Sequence, residues 1–262
     1  MTYVLERNTD EYERLRMQAR LWEPATERLL DRIALDPGAT CLDVGCGPGE
    51  SMLLLADRGA HVLGVDVDAD AGAHAIARLD AAGHDRCAFE VADAERELPD
   101  GPFDLVFARL FLLHVDDPAA MLKRLWDRVA LDGHLVVMDH DMGSPGVVPP
   151  LESTHEFNRV VLGAFAATGS DLELGRRLPW LHEQAGIGSP DGTEITGRLE
   201  PLREDAEVYA AIFRSMLPAA ISLGLTTQER GERWFEQLER DVERHGERAL
   251  MWPLMVGTWK GK

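Results

Sequence analysis

Apolar and polar positions fall into two rhythms along this chain. Between residues 9 and 22 the apolar side chains recur at Tyr12, Leu15, Ala19 and Trp22, one face of a helix that Thr9 or Asp10 would cap. Pro24 predicts an interruption, after which a second helix turns Leu29, Leu30 and Ile33 inward. From residue 39 the period changes. Short, continuous apolar runs at 40–44, 61–65, 87–91, 103–108 and 134–139 read as strands. Helical runs over about 50–58, 70–82 and 118–130 separate most of them. Strands alternating with helices predict a parallel sheet covered on both faces, and runs this continuous leave no wet face.

After residue 140 the rhythm breaks. The loop "GSPGVVPP" leads into a helix around 150–167 that aligns Phe157, Val160, Val161, Ala164 and Phe165, and a second helix covers about 174–185. Residues 192–200 and 249–260 each alternate like one strand, with long helices over about 203–222 and 227–246 between them. A capping box, Thr226 to Glu229, is expected to open the second of these, and Glu236 and Arg240 stand at i,i+4 spacing on it. The prediction is an α/β fold: a seven-stranded, mostly parallel sheet with helices on both faces, plus a helical lid. Along the chain this gives an N-terminal helical cap (1–37), a core (38–148), and a C-terminal part (149–262) carrying the lid helices and the last two strands.

Composition narrows the partners. Acidic residues outnumber basic ones 46 to 27, a formal charge of −19, which repels nucleic-acid backbones and anionic membranes. No run approaches the roughly 18 apolar residues that span a bilayer, and the charged N-terminus lacks the apolar centre of a secretion signal, so a cytoplasmic protein is expected. Cys41, Cys46 and Cys87 have no metal-ligand spacing and, being odd in number, frame no disulfide set.

The chemistry begins at "CLDVGCGPGES", residues 41–51. A dinucleotide fingerprint counted from Gly45 needs its third glycine at position 50, where Glu50 stands instead, and the extra glycine is Gly49. A carboxylate at a helix start repels pyrophosphate, and no Gly-Lys-Ser/Thr follows to make a phosphate loop. The glycine spacing suits a zwitterionic tail approaching bare backbone. Asp66 closes the second strand, placed to accept two ribose hydroxyls, and Asp93 follows the third, placed to meet a base edge.

The blocks "GATCLDVGCGPG", "VLGVDVD", "VADAERELP", "FDLVFARLFLLHVDDP" and "ALDGHLVVMDHD", in this order and spacing over about residues 38–142, resemble the class I S-adenosylmethionine-dependent methyltransferases. The opening helix resembles that of small-molecule members acting on quinones and natural products. The resemblance implies a Rossmann-like core with S-adenosylmethionine as cosubstrate. Gly45 and Gly47 would approach the methionine portion, with Asp43 supporting the loop and the ammonium. Asp66 would hold the ribose, Val67 would lie beside the adenine, and Asp93 and Ala94 would meet its exocyclic nitrogen. Arg109 and Leu110 would lie beneath the methionyl chain, and Gln18 and Trp22 would close the pocket. Members that methylate bases or amides carry an Asn/Asp-Pro-Pro-Tyr/Phe loop after strand four, where this chain reads Ala108-Arg109-Leu110-Phe111.

On the acceptor side, His114 and His140 are the candidate general bases, since imidazole titrates near working pH. Related enzymes often pair two histidines after strand four, whereas here Leu113 precedes His114. Tyr3 and Tyr12 are further pocket candidates, and Phe157, Phe165, Phe213 and Met216 are lid candidates. No metal site is expected. The expected activity is methyl transfer to a small, largely apolar molecule of specialised metabolism. A quinone-type C-methyltransferase and an S-adenosylmethionine-binding protein that transfers nothing are the alternatives. A homodimer is compatible with the exposed first helix and the lid.

Overall fold

The computed structural model describes residues 9–143 and 145–262. Five parallel strands form the centre: β1 (Thr40–Val44), β2 (His61–Asp66), β3 (Cys87–Val91), β4 (Phe103–Arg109) and β5 (Val129–Asp141). Helices α2 (Glu50–Asp57), α3 (Ala69–Ala81) and α4 (Pro118–Asp127) connect them, α2 and α3 lying between β1 and β3 and α4 between β4 and β5. The sheet is completed by β10 (Leu254–Gly261), antiparallel to β5, and β7 (Gly192–Thr196), antiparallel to β10. The order is β3-β2-β1-β4-β5-β10-β7, seven strands and mostly parallel, as the alternation predicts. The side chains of Leu42, Leu105, Val106 and Leu135 are fully buried, which accounts for their unbroken apolar runs. Because β1 lies in the middle and the chain leaves it in opposite directions to β2 and to β4, a crevice opens at the carboxyl ends of these strands.

Three local expectations need correction. The first helix, α1 (Thr9–Leu30), runs unbroken through Pro24. Proline removes one backbone hydrogen bond there, but Ala25, Leu29 and Leu30 are all buried beyond it, and that burial outweighs the loss. The 192–200 run is not one strand. It divides into β7 and β8 (Leu199–Pro201), and the 249–260 run likewise divides into β9 (Ala249–Met251) and β10. Pro253, which cannot donate to a ladder, lies at the second break. β8 and β9 join β6 (Gly146–Val147) in a separate three-stranded sheet. Finally, α8 (Gln228–His245) is capped one residue later than expected: Thr227 accepts the Arg230 N–H at 3.3 Å.

The lid consists of α5 (Glu152–Ala167), α7 (Leu202–Ser222) and α8, whereas α6 (Leu174–Gln184) packs on β5 and β10 of the sheet. Phe157, Tyr209, Phe213 and Trp234 stack through its interior, with Phe157–Tyr209 and Phe213–Trp234 centroids 3.7 and 3.8 Å apart. Helix α1 touches both halves of the molecule, packing on α7 and on α2.

Candidate active site

The loop after β1 begins the site. Gly45, Gly47 and Gly49 hold φ of 71°, 49° and 83°, a region that side chains rarely occupy. A Cβ at Gly45 would lie 2.7 Å from the Phe111 ring, and one at Gly49 would lie 2.6 Å from the Ala75 side chain. The loop is thus wedged between the turn after β4 and helix α3. Gly47 differs: a Cβ there would meet nothing within 4 Å, so bare backbone faces open space. Asp66 fixes that exposed loop by accepting the Gly47 N–H at 2.9 Å and the Asp68 N–H at 3.0 Å.

Glu50 opens α2 and pairs with Arg78 of α3, with Arg16 of α1 at 3.4 Å. A carboxylate thereby occupies the helix start where a pyrophosphate would lie. Beneath the loop, Asp43 is buried, and its Oδ2 has no hydrogen-bond partner among the described residues. Burial raises its pKa to about 7, opposed by the nearby Arg109 guanidinium. Arg109 leaves the end of β4 and donates to Thr26 of α1 at 2.9 Å. Leu110, next in sequence, takes φ 55°, a conformation costing on the order of 1–3 kcal/mol in a non-glycine residue, and turns the chain so that Phe111 closes on Gly45.

One solvent-open cavity of about 250 Å³ joins these parts to the lid. Gly45, Gly47, Asp66, Val67, Asp93, Ala94, Arg109, Leu110 and Gln18 all line it, as do His114 and His140. Asp43 and Trp22 are not among its lining residues. Asp43 lies beneath the loop, and Trp22 is buried behind the wall, edge-on to His140 with centroids 5.3 Å apart. Among the lid candidates Phe157, Phe165 and Met216 reach the cavity, whereas Phe213 is buried behind them. Tyr12 lines the cofactor side and donates to the Asp68 carboxylate at 3.0 Å. Tyr3 lies outside the described residues.

The two histidines stand on neighbouring strand ends. A short 3-10 turn, Leu112–His114, follows β4, and His140 lies near the end of β5. Asp139 ties them together: its buried carboxylate accepts the Leu113 N–H at 3.1 Å and the His140 N–H at 2.9 Å. Burial lowers the His114 pKa to about 4, assisted by the Arg14 charge, and lowers that of His140 to about 3, assisted by Arg109. Both rings are therefore neutral at working pH. The His140 Nε2 is buried without a hydrogen-bond partner among the described residues.

Several lining groups carry no signal in the sequence. Glu11 and Arg14 pair through two hydrogen bonds, of 2.7 and 2.8 Å, while buried at the cavity wall, and Arg14 also donates to Gln18. Their i,i+3 spacing is legible, but surface pairs have the same spacing. Tyr209, Met251 and Trp252 reach the cavity from elements whose packing only the tertiary fold sets.

Residues 42–137 match the family described as methyltransferase domain. A trans-aconitate 2-methyltransferase of Methylobacterium radiotolerans is 35% identical over 189 residues, covering 71% of this chain and 60% of that protein. A phosphoethanolamine N-methyltransferase of Triticum aestivum is 33% identical over 129 residues, covering 46% of this chain and 24% of that protein. The chain thus spans less than two thirds of the length of these curated relatives. Among solved structures, the phosphoethanolamine N-methyltransferase 2 of Haemonchus contortus, in complex with S-adenosyl-L-methionine, superposes with a TM-score of 0.55 at 18% identity, covering 92% of this chain and 53% of that one. The 4+2 cyclase SpnF superposes with a TM-score of 0.51 at 20% identity, covering 90% and 80%. These likenesses are ones of fold.

Proposed function

The chain carries a class I methyltransferase domain, and from that premise we propose that it transfers a methyl group from S-adenosylmethionine to a small, uncharged, largely apolar acceptor. The carrying observation is the continuity of one cavity. Its strand-end wall offers bare glycine backbone and carboxylates, and its lid wall offers Phe157, Phe165, Ile212 and Met216. The donor fits the first wall. Gly47 leaves room for an amino-acid tail, and the unpartnered Asp43 Oδ2 beneath the loop lies where it can oppose an ammonium. Asp66 and Asp93 take the ribose and the adenine edge, with Val67 and Ala94 against the base. Arg109 and Leu110 support the methionyl chain, and Gln18 closes it from α1. Trp22 acts only through His140, as the ring behind it.

Bound S-adenosylmethionine supplies a methyl group on a sulfonium whose leaving group departs neutral, and in-line displacement rewards positioning. The protein's own groups then hold the acceptor. His114 and His140, neutral and on adjoining strand ends, accept a hydrogen bond from the attacking group and orient it. Imidazoles with pKa near 3 to 4 store a proton poorly, so positioning outweighs proton removal in this role, and the proton that the acceptor gives up as the new bond to the methyl carbon forms passes to water at the open mouth of the cavity. Among the described lining residues the cations are Arg14, committed to Glu11 and Gln18, and Arg109, committed to Thr26 beside Asp43. With Glu11, Glu50, Asp66, Asp68 and Asp93 on the same lining, a polyanion would meet an excess of negative charge, which separates this acceptor from the anions named for the relatives.

Release of S-adenosylhomocysteine tests the reading. Turnover is expected with uncharged phenols or amines and absent with trans-aconitate and phosphoethanolamine. Turnover of either anion at a rate above the uncharged panel would overturn the acceptor assignment. Tight acceptor binding with no release anywhere in the panel would instead favour a binding protein that transfers nothing.

A further inference from the structure

The cavity meets one polar group that the roles above leave unused. Tyr209 lies on α7 and is only 3% exposed, with its ring stacked on Phe157 and edge-on to Trp252 at 6.0 Å. Among the described residues its hydroxyl has no hydrogen-bond partner. Nearby Trp252 illustrates the usual arrangement, since its indole N–H donates to Asp205 at 2.6 Å. A buried hydroxyl without a partner is unfavourable, and native chains rarely keep one unless something else completes it. The neighbouring lining side chains, Ile212, Met216 and Met251, are apolar and offer it nothing. Among the described lining residues, the other buried polar atom without a partner is His140 Nε2, on the sheet.

We propose that the Tyr209 hydroxyl is a specificity anchor, donating a hydrogen bond to an oxygen or nitrogen of an uncharged acceptor whose body lies against the apolar lid. The inference rests on reading this cavity as the methyl-transfer site, and it adds a substrate class: an apolar ring or chain with a neutral hydrogen-bonding group on the lid side. A purely hydrocarbon acceptor and an anionic one both fit less well.

The test uses the whole protein saturated with S-adenosylhomocysteine and three matched probes: naphthalene, 2-naphthol and 2-naphthoate. Calorimetric titration is expected to show 2-naphthol binding about tenfold more tightly than naphthalene, with 2-naphthoate no better than 2-naphthol. Tyr209→Phe removes only the oxygen and is expected to fold with an unchanged or higher Tm, keep its affinity for S-adenosylhomocysteine, and bring naphthol and naphthalene within about twofold. Persistence of the tenfold gap in Tyr209→Phe, a preference for the naphthoate anion, or binding of none of the probes to the loaded protein would overturn the anchor. Failure of S-adenosylhomocysteine itself to bind would overturn the underlying site reading instead, so the two failures are separate.

Discussion

His140 shows how burial decides what a titratable residue can do. Its sequence context, "MDHDMG", suggests a base near neutrality, yet packing against Trp22 and the nearby Arg109 charge bring its pKa down to about 3. The neutral ring is the folded form, so its contribution to stability is fully present above about pH 6.5 and is lost as pH falls from 6.5 toward 3. Asp43 and Asp139 run the other way. Burial raises both to about 7, so their contribution is full below about pH 3.8 and is lost as pH rises through 7. The opposed trends overlap between about pH 4 and 6.5. The ring signals of His140 in NMR are expected not to titrate between pH 5 and 8, and a midpoint near 6.5 would remove the account of a buried, neutral positioning group. The sequence made the candidates legible, since both histidines follow strand ends. It could not make their protonation legible, because it is set by residues as distant as Trp22, which packs on His140, and Arg14, whose charge acts on His114.

Elements were legible in proportion to how locally their pattern is set. β1, β4 and the second half of β5 are largely buried and read as unbroken apolar runs, whereas the edge strand β3 is largely exposed, and the glycine loop declares itself by spacing. The misread boundaries each depend on a distant partner. Pro24 does not break α1 because its apolar stripe continues beyond the proline, and the strand runs at 192–200 and 249–260 divide because their halves join different sheets. Helix α1 also has a consequence at its own scale. Tyr12 to Asp68 and Arg16 to Glu50 bind it across the cofactor side, while Glu11 accepts from Ser215 of α7. Tyr12→Phe should therefore raise the dissociation rate of S-adenosylhomocysteine about three- to tenfold, the worth of one hydrogen bond of ordinary strength at a partly exposed site. Stopped-flow displacement measures this, and an unchanged rate would show that α1 does not hold the cofactor in.

At the scale of the whole molecule, a strand order that reverses at β1 opens a crevice, and the lid turns the crevice into a two-walled cavity. The strand-end wall comes from local motifs, and the sequence located nearly all of it. The lid wall comes from helices between residues 152 and 222, where Tyr209 gave no signal, because a lid residue is distinguished from core only by what it faces. The central claim is that the strand-end wall holds a sulfonium nucleoside and not a pyrophosphate. Calorimetric titration of S-adenosylhomocysteine and NAD into the wild type and Asp66→Ala addresses it most directly. The account predicts saturable binding of S-adenosylhomocysteine alone, weakened at least about tenfold by Asp66→Ala, in line with lost hydrogen bonds to a charged group. Binding of NAD, or an affinity for S-adenosylhomocysteine that Asp66→Ala leaves unchanged, would contradict it.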